Sequence, residues 1–177
     1  LDGSIPADNP FVNQPEALPE IWSIGHRDPQ ALAFRPETGD TWLAEHGPLG
    51  GDELNLLLAG RNFGWPVVSK GANYLDVTGF QSVKSRDDME EPIYYWETSV
   101  APSNILFYSG KLFPQWQGDA LISSLAGQKL IRVSFSGNKV TNVSTVVNGL
   151  GRIRDVHEGP DGAIYLAITL GPGTKTP

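Results

Sequence analysis

The chain has no cysteine. That excludes disulfide bridges and thiolate metal sites, and it leaves the compartment open. It has no long apolar run, and the longest apolar stretches are far too short to span a bilayer. The opening residues LDGSIPADNP have neither a basic start nor an apolar core, so they do not read as a secretory signal. Positive charge is scarce: 13 Lys and Arg stand against 20 Asp and Glu, and the net charge of −7 argues against nucleic acid as a partner. No long amphipathic helical pattern is present; LNLLLAGRN reads equally as a helical turn or as a strand and turn.

What the chain does have is glycine (20), proline (14) and many aromatics, within 177 residues that suit one domain. That mix suits an all-β, turn-rich protein. Three segments read as strand, turn, strand: ALAFRP–ETGD–TWLAEH, DALISSLAG–QKLIRVSF–SGNKV, and IRDVHEG–PDG–AIYLAIT. Period-two alternation marks the strands, and Thr-Gly-Asp, Ser-Gly-Asn and Pro-Asp-Gly supply hairpin chemistry. The long polar stretch from Gly64 to Trp96, with KSRDDMEE at 84–91, reads as a loop inserted between repeats. Irregular repeats of this kind fit a propeller with elaborated loops, with a β-sandwich as the alternative.

The densest chemistry lies in Glu45–Asn55, EHGPLGGDELN, followed shortly by Asn62-Phe63-Gly64-Trp65-Pro66. Glycines admit close backbone approach and expose carbonyl oxygens. Carbonyl and carboxylate oxygens together suit a hard cation such as calcium, and the segment leaves room for a flat ligand. A second cluster is Gly25-His26-Arg27-Asp28, either a structural ion pair or part of a site. A third is Arg152-Ile153-Arg154. Strand alternation puts both arginines on one face, where they repel unless an anion joins them. A solvated edge pairing with Asp155 or Glu158 is the other reading.

EHGPLGGDELN with NFGWPVV, together with IGHRDPQALAF at 24–34, YYWETSVAPSNILFYSG at 94–110 and GRIRDVHEGPDGAIYL at 151–166, resembles the glucose/sorbosone dehydrogenase family. These are soluble sugar dehydrogenases that use pyrroloquinoline quinone (PQQ) and calcium. The resemblance runs from DGSIPADNPF at 2–11 to about Thr169. It implies a six-bladed β-propeller. Six four-stranded blades take roughly twice this length, at about 40–50 residues each, so residues 1–177 would form about three blades, the C-terminal half of such a domain. LGPGTKTP departs from the family, and 170–177 reads as a flexible tail.

The resemblance also assigns roles. Arg27 lies against the quinone and polarises one of its oxygens, as the catalytic residue of this half. Asp28 follows it where the family usually has asparagine, and an anion there opposes quinone reduction unless Arg27 neutralises it. Gly47 and Pro48 give carbonyls to the cofactor calcium, although a lone Gly-Pro is usually an ordinary turn. Glu53 ligates a second, structural calcium with the Phe63 carbonyl nearby; Asp52 ranks below it. Tyr74 and Trp96 are walls of the cofactor slot, with packing as the alternative for each. Ser99, Ala101, Pro102 and Ser103 occupy the loop after Trp96. Arg152 and Arg154 bind PQQ carboxylates. Ala126 stands where some relatives carry a cofactor-binding lysine. His46 and His157 read as structural, and the family's histidine base is not in this chain. The implied activity is oxidation of aldoses at C1 to lactones, with electrons passed to an external acceptor, in the periplasm or outside the cell. A calcium-dependent propeller lactonase and a non-catalytic binding propeller are the alternatives.

Overall fold

Short alternating runs become strands here because each has one face to bury. In the computed structural model, which describes residues 2–72 and 82–170, the first sheet holds β1 (Pro29–Phe34), β2 (Thr41–Glu45), β3 (Asp52–Leu56) and β4 (Tyr94–Trp96) in that order. The second holds β5 (Pro102–Phe107), β6 (Ala120–Ser124), β7 (Lys129–Ser136) and β8 (Lys139–Asn148), again in order. The third is the pair β9 (Arg152–Glu158) and β10 (Ile164–Thr169). Every pairing within these sheets is antiparallel. A single 3-10 turn at Pro114–Trp116 is the only helical element among the described residues. None of the described helices is long and apolar enough to cross a membrane.

The three hairpin segments expected from the sequence are β1–β2, β6–β7–β8 and β9–β10, and LNLLLAGRN resolves as the end of β3 and a turn. One expectation needs correction. The stretch from Gly64 to Trp96 does not join separate repeats: it lies between β3 and β4, which pair directly through Asp52↔Trp96 and Leu54↔Tyr94. The loop is an excursion within one sheet. No sequence signal separates those cases, because β4 is only YYW and its partner is fixed by pairing, not by local pattern.

The sheets pack face against face. Trp42 and Leu54 of the first sheet meet Ile105, Phe107 and Ile122 of the second, and Trp42 stands edge-on to Phe107 at 6.1 Å between centroids. Tyr108, Leu121 and Leu130 of the second meet Ile153 and Val156 of the third. Burying side chains of this size stabilises by roughly 1.5–3 kcal/mol each. The packing also sets β1, β5 and β9 side by side. The starting ends of these strands gather: His46, just after β2, donates to the Pro102 carbonyl through Nε2 at 2.8 Å, and Ser103 Oγ donates to the Ile153 carbonyl at 2.7 Å.

Candidate functional site

At that end a narrow cleft opens in the first sheet, with a free interior of about 10 Å³, enough for a single water or ion. Its wall includes Arg27, Glu45, His46, Gly47, Gly51, Glu53, Phe63 and Trp65. Four residues singled out in the sequence therefore share one cavity: Arg27, Gly47, Glu53 and Phe63. Buried Pro48 follows Gly47 directly.

Glycine is required at two of these turns. A Cβ on Gly47 would strike the carbonyls of Gly50 and Gly51. Gly51 has φ +66 and its backbone packs against that of Gly71. Three backbone segments thus cross closely, with the Gly50 and Gly51 carbonyl oxygens against Gly47. Asp52, fully buried, holds the crossing: its Oδ1 accepts from the Gly47 amide at 3.0 Å. Its Oδ2 accepts from Ser99 Oγ, Val100 N and Ala101 N at 2.8, 2.8 and 2.7 Å. Asp52 is thus occupied by loop donors.

Arg27 spans the cleft. Its Nη1 donates to the His46 carbonyl at 3.1 Å, and its guanidinium lies 5.3 Å from the centroid of the Trp65 ring. Asp28 Oδ2 sits 3.8 Å from Arg27 Nη1 and 3.5 Å from His46 Nδ1. His46 ties this loop to the start of β5 through its Nε2 bond to the Pro102 carbonyl, and its Nδ1 faces Asp28.

Below Arg27 lies a buried polar chain. Glu45 receives His26 Nδ1, the Arg27 amide and Asn55 Nδ2; Asn55 Nδ2 also reaches Glu53 Oε2 at 3.2 Å. Burial pushes the Glu53 carboxyl up to about 7, a rise opposed by the Asn55 hydrogen bond and added to by the charge of Glu45. Asn55 Oδ1 is buried and has no hydrogen-bond partner among the described residues. A carboxylate that is costly to ionise beside an unsatisfied amide oxygen is the environment a hard cation relieves. No group of three or more His, Cys, Asp and Glu is assembled for a metal among the described residues, so a cation here would rely on backbone carbonyls with Glu53.

The other candidates sit elsewhere. Trp96 is 8% exposed and packs in the core between the first two sheets, edge-on to Tyr94 at 5.1 Å. Ala126 is exposed; its amide donates to the Val100 carbonyl, which places it against the loop that Asp52 organises. Arg152 and Arg154 are exposed on one face of β9 with Ile153 fully buried between them, and Arg154 Nε donates to Thr169 Oγ1 at 3.1 Å. They lie at the gathered end but outside the lining of the cleft. Neither pairs with Asp155 or Glu158: Asp155 bonds Asn104 and Glu158 bonds Ser109. His157 is exposed. Tyr74 and the segment 171–177 lie outside the described residues. The sequence reading missed Glu45, Asn55 and Trp65 as site residues. Trp65 was within reach, since it follows Phe63 in the quoted motif; Glu45 and Asn55 act through partners that local pattern does not reveal.

A family model described as Glucose / Sorbosone dehydrogenase matches residues 1–174. Aldose sugar dehydrogenase YliI of Escherichia coli is 43% identical over 169 residues, covering 93% of this chain and 45% of that protein. A crystal structure of glucose dehydrogenase superposes with a TM-score of 0.85 at 43% identity, over 93% of this chain and 48% of its own. The PQQ-bound aldose sugar dehydrogenase from Streptomyces coelicolor superposes with a TM-score of 0.69 at 26% identity, over 94% and 43%. The chain spans about half the length of the relatives it matches.

Proposed function

Since the chain belongs to the glucose/sorbosone dehydrogenase family, we propose that it is the C-terminal half of a PQQ- and calcium-dependent aldose dehydrogenase. The architecture is read as half of a six-bladed propeller, with the two four-stranded sheets and the β9–β10 pair as about three blades. The observation that carries the functional reading is the cleft itself: a guanidinium set against an indole ring, beside an oxygen-rich glycine crossing. The narrow interior suits a hard cation, and a planar, anionic ligand would lie outside it, against the Arg27 guanidinium.

In this reading Arg27 faces the quinone, with Asp28 beside it, and the Gly47 and Pro48 carbonyls hold the cofactor calcium. Glu53 and the Phe63 carbonyl hold the second calcium. Arg152 and Arg154 bind cofactor carboxylates from β9, and Tyr74, Trp96 and Ala126 belong to the surrounding walls and loops, Trp96 acting from within the core. When bound, PQQ supplies the two-electron acceptor for oxidation of the sugar at C1, and calcium polarises it. Arg27 contributes a fixed cationic hydrogen-bond donor where negative charge develops. Trp65 excludes water from one side of that donor, which strengthens it. Electrons leave to an external acceptor, and the protein works in the periplasm or outside the cell.

The test is reconstitution of the full-length protein with PQQ and calcium, followed by a dye-linked assay with aldoses and identification of the lactone. Dye reduction that depends on sugar, PQQ and calcium supports the reading. Turnover without PQQ, or hydrolysis of lactones in place of sugar oxidation, replaces it.

A further inference from the structure

We propose that Glu45 is the positioning residue of Arg27. This rests on the reading of Arg27 at the cleft as part of a quinone site. Glu45 closes β2 and is 4% exposed. Each of its oxygens has a separate task. Oε2 accepts the Arg27 backbone amide at 2.7 Å. Oε1 accepts His26 Nδ1 and Asn55 Nδ2, both at 3.0 Å. With Nδ1 donating, His26 Nε2 is the acceptor for Ser23 Oγ–H at 2.9 Å. The His26 ring is further fixed by stacking on Phe63 at 4.7 Å.

Arg27 is therefore held at both ends by consecutive residues. Glu45 fixes its backbone, and the carbonyl of His46 fixes its guanidinium. The guanidinium contacts, to the His46 carbonyl, Trp65 and Asp28, do not by themselves set where the side chain leaves the backbone, because a long side chain keeps much rotamer freedom. Fixing the amide removes the hinge on which the whole side chain would swing out of the cleft. A donor that stabilises developing charge acts only when its direction is set before the reaction.

The bonding pattern makes glutamine a sharp probe. Whichever way its amide is turned, one of the two acceptor oxygens becomes an N–H₂ group facing a donor. Turned toward Arg27 N, that group repels the amide and the anchor is lost; turned the other way, it is accepted only if His26 changes tautomer and the Asn55 amide turns over. The size and shape of the side chain stay the same.

The experiment uses the full-length protein loaded with PQQ and calcium, as wild type, Glu45→Gln, Arg27→Lys and the double variant. Two readings are taken: kcat at saturating PQQ, and PQQ affinity by fluorescence titration. Glu45→Gln is expected to lower kcat about tenfold or more, as misplacement of a catalytic group does. Combined with Arg27→Lys it should lower kcat and affinity little further than the worse single variant, since both changes act on one guanidinium. A purely structural role would give losses that multiply. Glu45→Asp, which keeps the charge but withdraws both acceptors, is measured beside it, alone and with Arg27→Lys, and must show the loss of kcat and the same coupling. Wild-type kcat in folded Glu45→Asp, or multiplying losses, overturns the proposal. A wild-type protein that takes up no PQQ removes the functional reading, and this inference with it.

Discussion

Arg27 and Arg154 carry the same charge in different surroundings. Arg27 is set against Trp65 and tied to the His46 carbonyl, whereas Arg154 is exposed on β9 with Thr169 as its partner. In the full-length enzyme Arg154→Ala should weaken PQQ binding by about 10- to 150-fold, the loss of one charge-assisted bond, and leave turnover at saturating cofactor largely intact. Arg27→Ala should lower turnover even with the site filled. PQQ titration followed by steady-state kinetics separates the two, and normal PQQ affinity in Arg154→Ala would remove Arg154 from the site. Glu53 gives a pH signature. Its folded value of about 7 lies above the ordinary 4.5, so between those values the folded protein holds a proton that the unfolded chain releases. The stability this contributes is full below 4.5 and is lost as pH rises through about 7, at most about 3 kcal/mol for a shift of this size. The melting temperature of calcium-free full-length protein should therefore fall from about pH 5 to about pH 8. Calcium should raise it at the upper end, and Glu53→Gln should both flatten the profile and reduce the calcium effect. A calcium-free profile that rises over this range would contradict the assignment. Charge type and motif order singled out Arg27, Gly47 and Glu53, which the fold brings into one cleft. The roles of Asp52 and Glu45 were not readable in the sequence, because they depend on partners that only folding brings near, such as Ser99–Ala101 for Asp52.

Strands were legible wherever one face is buried and the other is not. In β9 the alternation of Arg152, Ile153 and Arg154 is visible in the sequence and appears as exposed, buried, exposed. β6, ALISS, is buried throughout, and only its flanking turns marked it. β4 escaped notice because three residues carry no period, and the loop before it was assigned to the wrong junction for that reason. Asp52 sits where this hidden pairing matters. At the start of β3 it ties the Gly47 turn to the loop that leads into β5. Asp52→Ala would leave buried amides of both loops without an acceptor and should cost at least about 2 kcal/mol in the full-length protein. Denaturant unfolding measures this, and an unchanged midpoint would show that water or neighbouring groups replace the carboxylate. Asp52→Asn keeps one acceptor oxygen and should cost less.

The molecule as a whole carries two four-stranded sheets and one of two strands, and the edge of β10 is unpaired among the described residues. Beside it an apolar groove is lined by Phe113, Trp116, Val146, Val147, Ile164 and Leu166. Unpaired edges and apolar grooves favour self-association. The isolated 177-residue chain should therefore aggregate at concentrations where the full-length protein does not, and it should oxidise no aldose with PQQ and calcium, because the histidine base expected for the family is not among its three histidines. Light scattering and the dye-linked assay check both; turnover by the isolated chain would show that the second half is dispensable. The all-β class was legible at this scale from composition and turn chemistry, while the way sheets stack was not, since Trp42 against Phe107 and Ile153 against Tyr108 are contacts between distant segments. The most direct test of the account is a fluorescence titration of full-length protein with PQQ, with calcium and with a chelator. The cleft around Arg27, Gly47 and Glu53 predicts saturable binding of one PQQ per chain that weakens when calcium is withdrawn. No saturable binding, or binding indifferent to calcium, would contradict it.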